Sequence, residues 1–206
     1  MHGDPEKFFE GWSCAGIILN TVARAQDFAQ KIVECFPECE MIQMHSQFII
    51  SDRAEIEREI LKRAGKNSTP EQRNKLIIVG TQVLEQSLDI DFDVMITDFC
   101  PMDLLLQRIG REHRHKGRKR PLCLQKAKCY VLTETRVVYD KWLLQRTADK
   151  LPEYFCLPDD IPVYVQDVYA EPNEDEKNDL WDEYMRHLEK LEEDAKRFRV
   201  GEPVCE

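Results

Sequence analysis

Apolar runs of strand length alternate with helical stripes from about Ser13 to about Thr133. The run AGIILN predicts a buried strand, and TVARAQDFAQKIVECF then places Val22, Ala25, Phe28, Ala29, Ile32 and Val33 on one helical face. EMIQMHS predicts a second strand, and SDRAEIEREILKRAG a second helix with Gly65 as its stop. In the polar loop that follows, Thr69-Pro70-Glu71-Gln72 has capping-box spacing with proline at the first helical position, which predicts one short turn. KLIIVGT, FDVMITDF and KAKCYVLT are three further strands, with a helix starting near Pro101 between the last two. Strands that are apolar throughout, separated by helices, indicate a doubly wound, mostly parallel α/β sheet covered on both faces.

The texture changes after Arg136. VVYDKWLLQRTADKL reads as one amphipathic helix, PEYFCLPDDIPVYV as a proline-broken connection, and the remainder as an acidic helical extension. The division expected is 13–135 for the α/β domain, 136–170 for the helix and connecting segment, and 171–206 for the tail. The tail reads either as a packed extension or as a solvated helix, and its charge favours the solvated form.

Composition alters this picture in two places. The net charge of −10 argues against a nucleic-acid partner until it is divided: the stretch from Glu171 onward carries −7, leaving −3 for the first 170 residues. Within those, RIGREHRHKGRKR is densely basic, and a phosphate backbone senses local field rather than net charge. The eight cysteines have neither zinc-ribbon nor redox-motif spacing, so reduced thiols in a cytoplasm are expected. The longest uncharged stretch, GWSCAGIILNTVA, is too short to span a bilayer, and Asp4, Glu6 and Glu10 stand where an export signal would be basic.

Candidate chemistry gathers where strands end, since ligands of such sheets bind beyond the carboxyl ends of the strands. Asn20, Thr21, His45, Ser46, Gly80, Thr81, Gln82 and Asp98 all fall there. In QRIGREHR, helical spacing puts Gln107, Arg111 and Arg114 on one face and lets Arg108 pair with Glu112 on the next. Two guanidiniums on one face suit a polyphosphate, because each is a planar fork of donors that keeps its charge; a solvated, salt-bridged helix is the other reading. Asp89, Asp91 and Asp93 imitate the start of a calcium loop, but Val94 replaces the required glycine and Cys100 the bidentate glutamate, so they read as strand-edge residues. His113 and His115 sit too close on a helix to share a metal, and none is expected there.

These stretches resemble the second RecA-like domain of superfamily 2 helicases. QRIGREHR is similar to motif VI of that superfamily, VGTQVLEQSLDID to motif V and IILNTVARAQ to motif IV. TQVLEQSLDIDFD and DLLLQRIGREHRH resemble more particularly the helicase–nuclease effector of type I CRISPR systems, over roughly Ser13 to Tyr169. The resemblance implies that Arg111 and Arg114 are arginine fingers reaching the terminal phosphate of ATP, with Gln107 and Gly80 at the same cleft and Asp89 near the ribose. It implies contacts from Asn20, Thr21, His45, Thr81, Gln82 and Gln86 to the backbone of single-stranded DNA. Glu112 departs from the family pattern, where an apolar residue is usual, and Gln47 stands where arginine is frequent.

The sequence contains no G-x-x-x-x-G-K-[ST] loop to cradle phosphates: its one Gly-Lys pair, Gly65-Lys66, is followed by Asn67. No strand ends in an Asp-Glu pair, and the histidine–aspartate nuclease signature is missing. The expected function is therefore the second motor domain of an ATP-dependent DNA translocase. Its partners would be a P-loop-bearing first domain, a nuclease domain and an RNA-guided effector complex, with Mg²⁺ held mainly by the first domain. The other reading is a non-catalytic, helicase-derived module that binds the effector complex or competes with the full enzyme.

Overall fold

The computed structural model describes residues 14–86, 88–133 and 138–197. The start of the first domain at 13, its end at 135, and the tail beyond 197 lie outside the described residues. Five strands form one sheet: β1 (Cys14–Ile18), β2 (Glu40–Met44), β3 (Leu76–Gly80), β4 (Val94–Asp98) and β5 (Cys129–Leu132). Their order is β2-β3-β1-β4-β5, and every pairing is parallel.

Successive side chains of a strand point to opposite faces, so a strand buried on both sides must be apolar throughout. In β1, Cys14 and Ile18 enter one core with Met44, Ile60, Leu76, Ile78 and Phe92. Ala15 and Ile17 enter the other, with Ala25, Ala29, Ile32, Ile77 and Val79. Gly16 faces the Phe92 ring, and a Cβ there would run into that ring.

Helix α1 (Val22–Cys35) covers the second core, and α2 (Ile50–Ala64) the first. Thr21 caps α1 by accepting from the Arg24 N–H, and Gly65 is the C-cap of α2. The short α3 (Pro70–Arg73) has the expected capping box between Thr69 and Gln72. A one-turn α4 (Val83–Gln86) follows β3, and α5 (Met102–Ile109) follows β4.

Two elements differ from the sequence pattern. The helix expected from Val137 runs as α6 (Lys141–Lys150), with Asp140 as its cap accepting from the Trp142 N–H. The proline-rich connection contains a further helix, α7 (Ile161–Tyr169); Pro162 sits in its first turn, where a missing N–H costs no helical hydrogen bond. Helices α5 and α7 meet in a third apolar cluster around Met102, Leu106 and Val168. The acidic helix α8 (Asp179–Arg197) buries no residue completely, yet it is not simply solvated: Trp181 packs edge-on against Trp142 of α6, ring centroids 5.3 Å apart.

Candidate functional site

The carboxyl ends of β1, β3 and β4 are laced together by hydrogen bonds. Asn20 N–H donates to Asp98 Oδ2 at 2.9 Å, and its amide donates to the Phe99 carbonyl at 2.9 Å. The Gln82 amide donates to the Asn20 carbonyl at 3.1 Å, and the Thr81 N–H to the Met44 carbonyl at 3.3 Å. Asn20, Thr21, Thr81 and Gln82 are thus brought to one end of the sheet, as expected. Their side chains are more committed than the sequence suggests: Asn20 and Thr81 are buried, and the Thr21 hydroxyl caps α1.

His45 ends β2, buried and stacked on Phe48 at 4.4 Å, with Nε2 3.5 Å from the Gln26 amide. Burial lowers its pKa, which favours the neutral ring. Gly80 serves packing, since a Cβ there would run into the Met44 carbonyl and Leu84. The side chain of Gln86 lies outside the described residues.

Beneath this layer sits Arg108, fully buried. Its Nε donates to Glu85 Oε1 at 2.7 Å, and Nη1 donates to Thr97 Oγ1 at 2.8 Å and Asn20 Oδ1 at 3.1 Å. Burial raises the Glu85 carboxyl above its usual range, and the guanidinium beside it works against that shift. The expected Arg108–Glu112 pair does not exist. Helix α5 ends at Ile109, so the i, i+4 relation past that point is lost. Glu112 instead accepts from the Lys128 N–H, and burial pushes its carboxyl up to about 7.

The shared helical face of Gln107, Arg111 and Arg114 fails for the same reason. Gly110 is the C-cap, and His113 takes a left-handed backbone at φ 50°, which turns the chain. Such a conformation costs a non-glycine residue about 1–2 kcal/mol. It is held here by the His113 N–H donating to the Phe92 carbonyl at 3.0 Å and by Phe92 N–H donating to the Arg111 carbonyl at 2.8 Å. Gln107 remains on α5, exposed and without a side-chain hydrogen bond among the described residues.

Arg111 and Arg114 nevertheless stand near one another, beside the 85–91 segment. Arg111 Nη2 donates to the Glu85 carbonyl, and its buried Nε has no partner among the described residues. Burial and the neighbouring Arg114 charge lower its pKa. Arg114 Nε donates to Asp89 Oδ1 at 2.8 Å, and that bond holds the Asp89 carboxyl below its usual range. Both Asp89 and Arg114 are exposed. The acceptor-seeking Arg111 Nε, the two guanidiniums and the exposed Asp89 fit a nucleoside polyphosphate: donors for phosphate oxygens and an acceptor for a ribose hydroxyl.

The larger omission from the sequence reading is ionic. Asp91 and Asp93 are fully buried rather than strand-edge. Asp91 accepts from Arg118 Nε at 2.6 Å and from Arg120 Nη2 at 2.8 Å through both oxygens. Asp93 pairs with Arg73 at 3.0 Å and with Arg120, and it accepts from the Cys14 N–H at 2.7 Å. Arg24, also unforeseen, pairs with Asp98 at 2.8 Å. The one local signal was the matching of a D-x-D pattern by a later R-K-R.

Fold and site together define a RecA-like parallel α/β domain that offers arginines on one flank and polar strand ends on another. Residues 12–117, about half of the chain, match the family model of the C-terminal region of the CRISPR-associated nuclease/helicase Cas3, and the chain belongs to that family. A CRISPR-associated nuclease/helicase Cas3 of Streptococcus thermophilus is 42% identical over 207 residues, which covers 92% of this chain and 22% of that protein. Among solved structures, T. fusca Cas3-ATP superposes with a TM-score of 0.81 at 32% identity, covering 96% of this chain and 24% of that one. A chain of a CRISPR RNA-guided surveillance complex in a pre-nicking state gives a TM-score of 0.77 at 31% identity, covering 95% and 26%. The chain thus spans about a quarter of the length of the relatives it matches.

Proposed function

We propose that this chain is the second motor domain of an ATP-dependent single-stranded DNA helicase or translocase of type I CRISPR interference. The observation that carries this reading is the pairing of Arg111 and Arg114 beside Asp89 in a chain of the Cas3 family. ATP binds between this flank and a P-loop-bearing first domain, with Mg²⁺ held mainly by that first domain. Arg111 and Arg114 stabilise charge that develops on the transferred phosphoryl group, Asp89 takes the ribose, and Gln107 and Gly80 border the cleft. Asp89 must release Arg114 for that second finger to reach a phosphate; both are exposed, so the exchange costs little.

The strand ends supply the grip on DNA. With the Asn20, Thr21, His45 and Thr81 side chains engaged or buried, contacts to a phosphate backbone come from partial donors and from a small movement of Gln82, with Gln86 as a further contact residue. Such contacts read no sequence and are sensitive to salt. Arg108 links the two flanks: it touches Asn20 on the DNA side and Glu85, whose carbonyl holds Arg111, on the ATP side. The domain acts in the cytoplasm, with the nuclease domain and the RNA-guided effector complex as further partners. In the alternative, a non-catalytic module binding the effector complex, the arginines are unused.

Analytical ultracentrifugation separates the two. Mixed with a P-loop half and a non-hydrolysable ATP analogue, the chain forms a one-to-one complex that disappears without nucleotide and weakens with Arg111→Ala. Association indifferent to both nucleotide and Arg111 supports the non-catalytic module.

A further inference from the structure

On the side of the ionic network, the 66–70 loop and the 114–119 segment enclose a cavity of about 580 Å³. Its charged lining is wholly cationic: Lys66, Arg73, Arg114, Lys116, Arg118 and Lys119, with no carboxylate. Arg118 builds the wall. Its Nη1 donates to Ser68 O and Oγ at 3.1 Å each, and its Nη2 donates to the Gly65 carbonyl at 3.0 Å and the Lys66 carbonyl at 3.2 Å. The loop is therefore pinned in place before any ligand arrives. Asp91 and Asp93 lie behind the wall, where they offset Arg118, Arg120 and Arg73.

Arg114 pairs with Asp89, but the lysine charge is uncompensated. Lys66, Lys116 and Lys119 are exposed and have no ion-pair partner among the described residues. Arg73 is 2% exposed; one nitrogen lies 3.0 Å from Asp93, but Nη1 has no partner. A buried guanidinium nitrogen left without an acceptor costs about 1–3 kcal/mol. An anion in the cavity would meet three exposed ammonium groups above that buried positive charge.

We propose that this cavity is a second anion site that binds a phosphate chain; it shares Arg114 with the nucleotide flank but is not lined by Arg111. The ligand chemistry is a run of phosphates, supplied either by a polyphosphate or nucleotide or by the backbone of a single strand. Lysines serve as point charges for successive phosphates, and Arg73 adds fixed positive charge beneath them. Arg114 belongs to both sites, but this assignment needs neither ATP turnover nor a P-loop partner.

Titrating the full chain with sodium tripolyphosphate, by calorimetry and by backbone amide NMR, tests it. Expected are saturable one-to-one binding, shifts centred on residues 66–70 and 114–119, and a loss of affinity of about tenfold or more in Lys116→Gln/Lys119→Gln. Arg111→Ala should change that affinity by no more than about twofold. Both lysines are exposed, so the double variant keeps its fold, which its melting temperature verifies. Competition then identifies the source: displacement by oligothymidylate assigns a nucleic-acid backbone, and displacement by ATP alone a nucleotide. Displacement by neither assigns free polyphosphate. Absence of saturable binding overturns the proposal, as do shifts centred on residues 85–89 and Arg111 that vanish with Arg111→Ala.

Discussion

Arg108 is fully buried, and its value depends on all of its polar contacts being made. A buried ion pair repays desolvation only when its geometry is good and its remaining donors are satisfied. Arg108 meets that condition through Glu85, Thr97 and Asn20. Arg108→Ala leaves the fully buried Glu85 carboxylate without its partner, and urea unfolding should show a loss of about 3–5 kcal/mol. Replacing both partners, as Arg108→Met with Glu85→Leu, should recover most of that loss; a double variant as unstable as the single one would assign the cost to packing. Glu112 gives a second residue-scale test. Its carboxyl is raised to about 7 by burial, so the folded state holds the proton more tightly than the unfolded chain does. That stabilisation is complete below the ordinary glutamate range and is lost as pH rises through about 7. Glu112→Gln keeps an acceptor for the Lys128 N–H and cannot ionise. Its urea midpoint should therefore stay level between about pH 5 and 8 while that of the parent chain falls. Parallel curves would refute the assignment.

At the scale of elements, the five strands and first two helices follow from local pattern. Continuous apolar runs fix strands buried on two faces, and the Thr69–Gln72 box fixes even a one-turn helix. What local pattern misses lies where the chain leaves a regular element. The periodicity of QRIGREHR predicts one helix, yet Gly110 and left-handed His113 end it, because pairing with Phe92 outweighs one more turn. Asp91 pairs with Arg118 and Arg120, and Arg24 with Asp98, across wide gaps in sequence that no spacing rule connects. The strand-end positions of Asn20, Thr21, Thr81 and Gln82 were legible, but their engagement in caps and buried networks was not. Helix α7 was hidden by prolines that punctuate loops and open helices alike. The docking of α8 rests on the Trp181–Trp142 contact, the Lys141–Glu183 pair at 3.9 Å and the approach of His187 Nδ1 to Asp140 at 3.7 Å. Trp181→Ala should release that helix, raising amide exchange across 179–197 while leaving the strands protected. Unchanged exchange would mean that α8 is held by other contacts.

The whole molecule is acidic, but its charge is arranged. Many of the described carboxylates after Glu171 belong to α8, and the buried Asp91 and Asp93 pair with Arg118, Arg120 and Arg73 behind a lysine-lined cavity. The sheet end that bears Asn20 and Gln82 and the flank that bears Arg111 are joined through Arg108 and Glu85. In the proposed function, a domain built this way contributes one half of an interdomain nucleotide cleft and a path from that half to a nucleic-acid grip. In that function a second, P-loop-bearing body is required before chemistry begins. The most direct measurement is ATP turnover on single-stranded DNA, with this chain alone, with a matching P-loop half, and with that half plus Arg111→Ala. The account predicts turnover only in the mixture and a loss of about 10³-fold or more with the variant. Equal turnover in the parent and variant mixtures, or none in a mixture whose components are both folded, would contradict it.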